Sequence, residues 1–550
     1  MFRRLATLGL LLLVPVWAQL PAPYRAYEQA RRTEDAGGLE RLLAEPGYVQ
    51  VLAARALSRM AAFSPSRRLE LAERAARFEN AASDWLWVGR LREVLGDAPG
   101  AAEAYAGALP QPEAEAALMR LARAGVKRAY AALYAGRAYE ALLEALPAEG
   151  EAAWRARALA GLHRYAEALP FFRAWAQGSR EGRLALGRLL FELERYPEAA
   201  AAFRDAGGAD GALGLGRALE AMGQAEAAVR AYRESGLPEA LWRATGLQER
   251  TGRVAEALPL YRRLAEGSSV YADDALLRLW VLGRRQGDAD LAAWAYARLE
   301  GGLGLLAGKK GPRPADPAAC ALEASAAPGQ GTVERLLAEG REDWALGEAR
   351  WWMARLPPQG AWGVVEALQL RGLWGPSLKL ARVLDLPGLP DRCERTLVYP
   401  RAYPALVARE ARAFGLEPEL LWAVMRVESR FDPEAQSPTG AKGLMQFVAA
   451  TWDDVARRLG EEGADPFDPE AAVRFGAYYL RHLLDVCDRE LVCTLASYNG
   501  GPGYTRRALA AAGGDIWDFM RFQPRDEPRE YVERVLYAYA TYKALYRAAP

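Results

Sequence analysis

Tyr165-Ala-Glu-Ala-Leu169 returns as Tyr196-Pro-Glu-Ala-Ala200, as Gln224-Ala-Glu-Ala-Ala228 and as Val254-Ala-Glu-Ala-Leu258. Shorter echoes stand at Ala102-Glu-Ala-Tyr105 and Tyr139-Glu-Ala-Leu142. The glutamates Glu167, Glu198, Glu226 and Glu256 are 31, 28 and 30 residues apart. A recurrence of this length in an Ala/Leu/Arg/Glu background, with Gly breaks between, marks a helical-hairpin repeat somewhat shorter than the tetratricopeptide period. One such hairpin cannot bury its apolar face alone, so the repeats are expected to stack into an α-helical superhelical solenoid over residues 19–300. Long helical surfaces of this kind also bind protein partners.

A chain of 550 residues is too long for one core, and two or three domains are expected. A Gly/Pro-rich break from Gly301 to Gly331 reads as a linker, and helical composition resumes from Thr332 to about Asp391 with Trp344, Trp351, Trp352 and Trp362 available for packing. Residues 301–397 are therefore read as a linker region with a small helical domain, and 398–550 as a separate terminal domain. Lys and Arg number 71 against 70 Asp and Glu, so the chain lacks the basic excess of a general nucleic-acid binder.

In the terminal domain the run Glu419-Leu-Leu-Trp-Ala-Val-Met-Arg-Val-Glu428-Ser-Arg-Phe-Asp-Pro433 carries Leu421, Val424, Val427 and Phe431 at helical spacing. Glu428 falls on that apolar face. The places three and four residues away hold Met425, Val424, Phe431 and Asp432, so no cation on the same helix pairs with it. Loss of hydration should raise its pKa, and an acid kept protonated near neutrality can donate to the leaving oxygen of a glycosidic bond. Downstream, Ser437-Pro-Thr-Gly440-Ala-Lys-Gly443-Leu-Met-Gln446 and Ser497-Tyr-Asn-Gly-Gly-Pro-Gly503 both read as glycine-punctuated loops. Asp468-Pro-Glu reads as the N-cap and first turn of a helix through Leu484.

The ordered set Glu428-Ser, Gly443-Leu-Met-Gln446, Tyr498-Asn-Gly-Gly and Glu527-Pro-Arg-Glu-Tyr531-Val resembles the soluble lytic transglycosylases, closely so from Tyr399 to Tyr546. The resemblance implies a lysozyme-like α+β catalytic domain with minimal β-structure, its hairpin near Gly443 to Phe447, within a mainly α protein. It implies peptidoglycan glycan strands as substrate and Glu428 as the single acid/base. Ser437 and Gln446 match residues near the cleaved bond, and Met445 one that lines the groove. Tyr498 and Asn499 match the pair facing sugar and acid; Glu527 and Tyr531 match the opposite wall. Phe447-Val-Ala departs from the usual Met-Pro after the Gln motif, Gly500 replaces an Ala, Pro528 a Thr and Ala472 an Asn, which affects groove shape rather than the reaction. No metal or cofactor is expected. Alternatives on the same motifs are a hydrolytic muramidase and a non-catalytic glycan-binding envelope scaffold.

Arg3-Arg4, an apolar run from Leu5 to Val16 and Val16-Trp-Ala18 form a secretory signal peptide over residues 1–18, too short an apolar run to span a bilayer. The protein is thus expected in the periplasm or cell envelope, without stable membrane insertion once the signal is removed, where cell-wall enzymes are candidate partners for the solenoid. Four cysteines and two histidines in an exported chain favour disulfides over a metal site. Cys487 and Cys493 flank a short turn and are paired, which leaves Cys320 with Cys393.

Overall fold

The structure is a computed structural model, and it describes residues 20–299, 301–308, 329–356, 358–383, 396–523 and 526–546. The signal segment and the Cys320 and Cys393 pair lie outside these residues. Among the described residues the architecture is helical, and its β-structure is limited to the isolated bridges Gln436 to Lys442 and Lys442 to Phe447. No described helix is long and apolar enough to cross a membrane. The chain forms two compact units, one of residues through Met222 with Ala326–Arg355, the other of Gly223–Ser325 with Leu356 onward.

Each repeat signature opens the second helix of a hairpin: Tyr165–Gly178, Tyr196–Ala206, Ala225–Ser235 and Val254–Ala265. The turn before each helix needs a residue with positive φ, and His163, Glu194, Gly223 and Gly252 supply it at +58°, +58°, +73° and +75°. Their spacing is 31, 29 and 29 residues, so the structural register differs by one from the glutamate count. In the third signature Ala227 stands where the others have Glu, and Ala228 takes the place of Ala168, Ala199 and Ala257. All four of these alanines are completely buried. The repeat is thus held by a methyl-sized contact between helices, and the glutamate is a surface accessory, which in the first two signatures pairs with the preceding arginine, Arg164 with Glu167 and Arg195 with Glu198.

In the first unit the helix Glu342–Met353 packs on the start of the chain. Tyr24 Oη and the Tyr48 N–H donate to Glu348 Oε2 at 2.5 and 2.6 Å, and the Tyr24 ring stacks on Trp344. Of the segment 301–397, read as a linker region with a small helical domain, residues Ala326–Arg355 belong to this first unit. The helix Trp374–Val383 of the same segment belongs to the second unit, where Lys379 Nζ lies 2.6 Å from Asp432 Oδ2 and Leu378 joins the hydrophobic core of the terminal domain.

The second unit joins its repeats to the helix Ile516–Phe522 through a buried charge cluster. Arg278 Nε donates to both oxygens of Glu249 at 3.1 and 3.0 Å, and its Nη1 lies 2.8 Å from Asp518. Arg521 lies over the Trp242 ring, 3.7 Å from its centroid, and donates to Tyr261 Oη and the Trp242 carbonyl at 2.9 and 2.8 Å. A side chain on Gly246 would come within 2.7 Å of this guanidinium, which explains the glycine. Cys487 and Cys493 are bonded, joining the ends of Pro469–Val486 and Leu491–Gly500. Asp468 caps the former by accepting from the Ala471 N–H at 2.9 Å.

The carboxylate of Glu249 is only 4% exposed and its partners Arg278 and Arg521 are 5% and 8% exposed. Glu249→Ala leaves two guanidinium groups buried without their shared anion and should cost about 3–5 kcal/mol, read as a lowered urea midpoint. Glu198→Ala, at an exposed pair, should change stability by less than about 0.5 kcal/mol in the same measurement.

Candidate active site

Pro418 starts the helix Pro418–Glu428 at its first turn, and Leu420 to Met425 are buried without interruption. The helix therefore runs through the domain core and ends with its acid at the margin of that core. Ser429 stops it: its hydroxyl lies 2.9 Å from the Leu444 carbonyl and accepts the Phe431 N–H at 3.1 Å. Arg430 and Phe431 follow at φ +53° and +62°, and Gln446 in the facing loop is at +51°. Left-handed non-glycine residues cost on the order of 1–3 kcal/mol each and persist where packing over-determines them. Here the fully buried Phe431 ring and the Ser429 bridge do so.

Glu428 Oε1 accepts the Tyr531 hydroxyl at 2.7 Å. Tyr531 comes from the helix Asp526–Tyr546, whose ring stacks parallel to Tyr498 with centroids 6.2 Å apart. Burial pushes the Glu428 pKa up to about 7; the Tyr531 hydrogen bond and the Arg534 charge pull it down, and the Glu527 charge pushes it further up. Burial and the Glu428 charge raise the Tyr498 and Tyr531 hydroxyls well above the ordinary phenol range, so both act as donors. Tyr498 Oη donates to the Met445 carbonyl at 2.9 Å.

The other expected residues take different places. Met445, expected to line the groove, has a fully buried side chain that packs against Gly476; its carbonyl is the part that engages Tyr498. Ser437 organises its own loop, accepting the Ala441 N–H at 3.0 Å and meeting Thr439 Oγ1 at 2.9 Å. Gln446 donates to the Ala435 and Gly443 carbonyls at 3.0 and 2.9 Å, holding the loop opposite the acid. Asn499 is half-buried and Glu527 exposed. The segment read as a loop from Ser497 is the last turn of Leu491–Gly500, and the break comes at Gly501, φ +85°. A helical turn presents Tyr498 to Met445 where a loop would have to be pinned.

Sequence reading missed Tyr479 and the role of Phe447, whose rings lie 5.6 and 5.7 Å from Tyr498 and 5.5 Å from each other. It also missed Ser429 as the tie between the acid helix and the Gln446 loop. Gly443, at φ +70°, would place a side chain 1.9 Å from the Pro466 carbonyl, so only glycine fits there. Among the described residues no group of three His, Cys, Asp or Glu side chains gathers as a metal site.

Residues 405–516 match the family model described as the transglycosylase SLT domain. Over this stretch the chain is similar to the soluble lytic transglycosylases. It is 32% identical over 155 residues to the soluble lytic murein transglycosylase of Escherichia coli K12, a match covering 27% of this chain and 23% of that protein. It is 37% identical over 153 residues to the membrane-bound lytic murein transglycosylase F of Desulfosudis oleivorans, covering 26% of this chain and 32% of that one. The matches thus span about a quarter to a third of these relatives' lengths. In fold, the chain is similar to an inactive mutant of the lytic transglycosylase Slt from Pseudomonas aeruginosa, with TM-score 0.53, 19% identity and coverage of 95% of this chain and 92% of that one. It is also similar to a 70-kDa soluble lytic transglycosylase complexed with bulgecin A, with TM-score 0.54, 18% identity and coverage of 96% and 87%.

The folded protein holds the Glu428 proton more tightly than the unfolded chain, whose glutamate titrates near 4.5. The stability this proton contributes is fully present below that pH and is lost as pH rises through about 7. Glu428→Gln should therefore gain stability over the parent, on the order of 2–3 kcal/mol, between about pH 4 and pH 8, measured by paired urea unfolding curves. Tyr531→Phe removes the donor that favours the carboxylate and should raise the Glu428 pKa further, read as an upward shift of the same pH dependence.

Proposed function

We propose that this protein is a peptidoglycan lytic transglycosylase acting in the periplasm or cell envelope. It cleaves the β-1,4 bond between N-acetylmuramic acid and N-acetylglucosamine and leaves a 1,6-anhydromuramic acid end. The observation that carries the reading is a single desolvated acid, Glu428, with a pKa of about 7 and a tyrosine donor at 2.7 Å.

Glu428 gives its proton to the bridging oxygen as the bond from that oxygen to the anomeric carbon breaks. The sugar's own acetamido group stabilises the cation that develops. The resulting carboxylate takes the proton of the muramic acid 6-hydroxyl, and that oxygen closes onto the anomeric carbon. The acid is regenerated and no water is consumed, so one carboxyl serves where a hydrolytic glycosidase uses two. Tyr531 stabilises the carboxylate between the half-reactions by donating to it. A pKa near 7 suits both roles, because proton donation and acceptance are most evenly available when the group titrates near the working pH. Ser437, Gln446, Tyr498, Asn499 and Glu527 are assigned to the saccharide groove around this acid.

Glu428→Gln keeps the shape of the side chain but can neither give nor take the proton, and turnover on purified glycan strands should fall by more than about 10³-fold with glycan affinity retained. For the parent, the first half-reaction needs the protonated acid, so the rate should fall as pH rises above about 7. Mass spectrometry of the products decides the reaction: anhydro ends support the proposal, reducing ends make the protein a muramidase, and intact strands make it a scaffold.

A further inference from the structure

The first unit contains a cavity that the catalytic domain does not use. Between the helices Ala152–Gly161, Tyr165–Gly178 and Arg180–Glu192 lies a cleft of about 460 Å³. Its floor is Phe172 and Leu189, both buried, and its walls carry Tyr134, Tyr165 and Trp175. Tyr134 is 37% exposed and Trp175 half-exposed, although both are large enough to be core residues. A cleft of this size with aromatic walls and a few charged heads has the composition of a small-ligand site.

The polar groups indicate which ligand. Two arginines and two glutamates stand at the rim, Arg157, Arg188, Glu181 and Glu192, so the site has no net charge to attract a polyanion or a basic peptide. Arg157 is already engaged: its guanidinium lies between Trp154 and Trp175, 5.0 and 4.5 Å from the ring centroids, and donates to Glu181 at 2.5 Å. Both Arg157 and Trp175 line the cleft, so the sandwich holds the Trp175 ring in its wall. Among the described residues neither Arg188 nor Glu192 has a hydrogen-bonding partner, so the rim offers a free donor and a free acceptor one helical turn apart. Fixed aromatic faces, which carry partial negative charge, together with an uncharged mixture of donors and acceptors, match a neutral polyhydroxylated ring. The C–H face of such a ring packs on the aromatic plane while its hydroxyl and acetamido groups reach the charged heads.

We propose that this cleft is a second saccharide-binding site, taking one or two N-acetylated sugar units of a glycan strand. The choice of an N-acetylated glycan rests on the transglycosylase reading of the catalytic domain. The site would hold a strand independently of the acid that cuts it, and no bond is made or broken there.

The test uses the full chain carrying Glu428→Gln, titrated with tetra-N-acetylchitotetraose in a calorimeter. Two binding events per chain are expected. Trp175→Ala, and separately the milder Tyr134→Ala at an exposed position, should each remove one event or weaken it at least about tenfold, with melting temperature recorded to verify folding. In the chain with Glu428 restored, both variants should still form anhydro ends from short muropeptides at the parental rate. A single binding event in the parent, or two events retained in both variants, overturns the inference and leaves the catalytic reading intact. Binding of an apolar peptide in the cleft with no saccharide binding also overturns it. Failure of the parent to form anhydro ends counts against the catalytic reading, while the number of binding events still decides the cleft.

Discussion

The hydrogen bond from Tyr531 to Glu428 joins two helices of the terminal domain's core, and it does so at a carboxyl group that has no ion pair among the described residues. Everything around the site follows from keeping the carboxyl there. The acid helix must end at Glu428, so Ser429 turns the chain and ties it to Leu444. The facing loop must approach closely, so Gly443 accepts a conformation and a contact no other residue tolerates. The strained residues Arg430, Phe431 and Gln446 cluster at this junction.

The protein treats its buried acids in different ways, and the difference separates structure from chemistry. Glu249 is enclosed by Arg278 and Arg521, and its charge is what holds the helix Ile516–Phe522 in place. Glu348 has only neutral donors, Tyr24, the Tyr48 N–H and Trp352, and burial raises its pKa. Glu428 resembles Glu348 in having a tyrosine donor and no cation in contact. It differs in lying at a domain surface, half-buried and among polar loops rather than sealed under a tryptophan. A perturbed acid is therefore common in this molecule, and what sets Glu428 apart is its position on the fold.

Much of this was legible in the sequence. The helical repeat, the apolar setting of Glu428 and its raised pKa, the Asp468 cap and the Cys487 to Cys493 bond all depend on neighbours within a few positions. What sequence could not supply depends on distant partners or on three-dimensional register. The repeat looked anchored on its glutamates because they are conspicuous; the buried alanine one place later sets the true register, as Ala228 shows. The resemblance alone places Met445 in the groove; the burial of its side chain in the space left by Gly476, on another helix, has no local signature. The Tyr498 segment read as a loop from its glycines, but Gly500 and Gly501 end a helix rather than prevent one. The Glu249 cluster draws Arg521 from more than 250 residues away and has no local signature.

The partition of the chain has a consequence for how it is made. The N-terminal helix Ala22–Arg32 offers Tyr24 to Glu348, more than 300 residues later. The core of the terminal domain takes Leu378 from before it, and its helix Ile516–Phe522 pairs with Arg278 from earlier still. Each compact unit is thus assembled from two stretches separated by part of the other. During synthesis the first unit cannot close until the second has begun, and the second waits for the end of the chain. Until then the Tyr24, Trp344 and Leu378 surfaces lack their cover. A protein built this way spends its early life with exposed apolar faces, and it depends on the quick local closure of its helical hairpins to keep those faces apart.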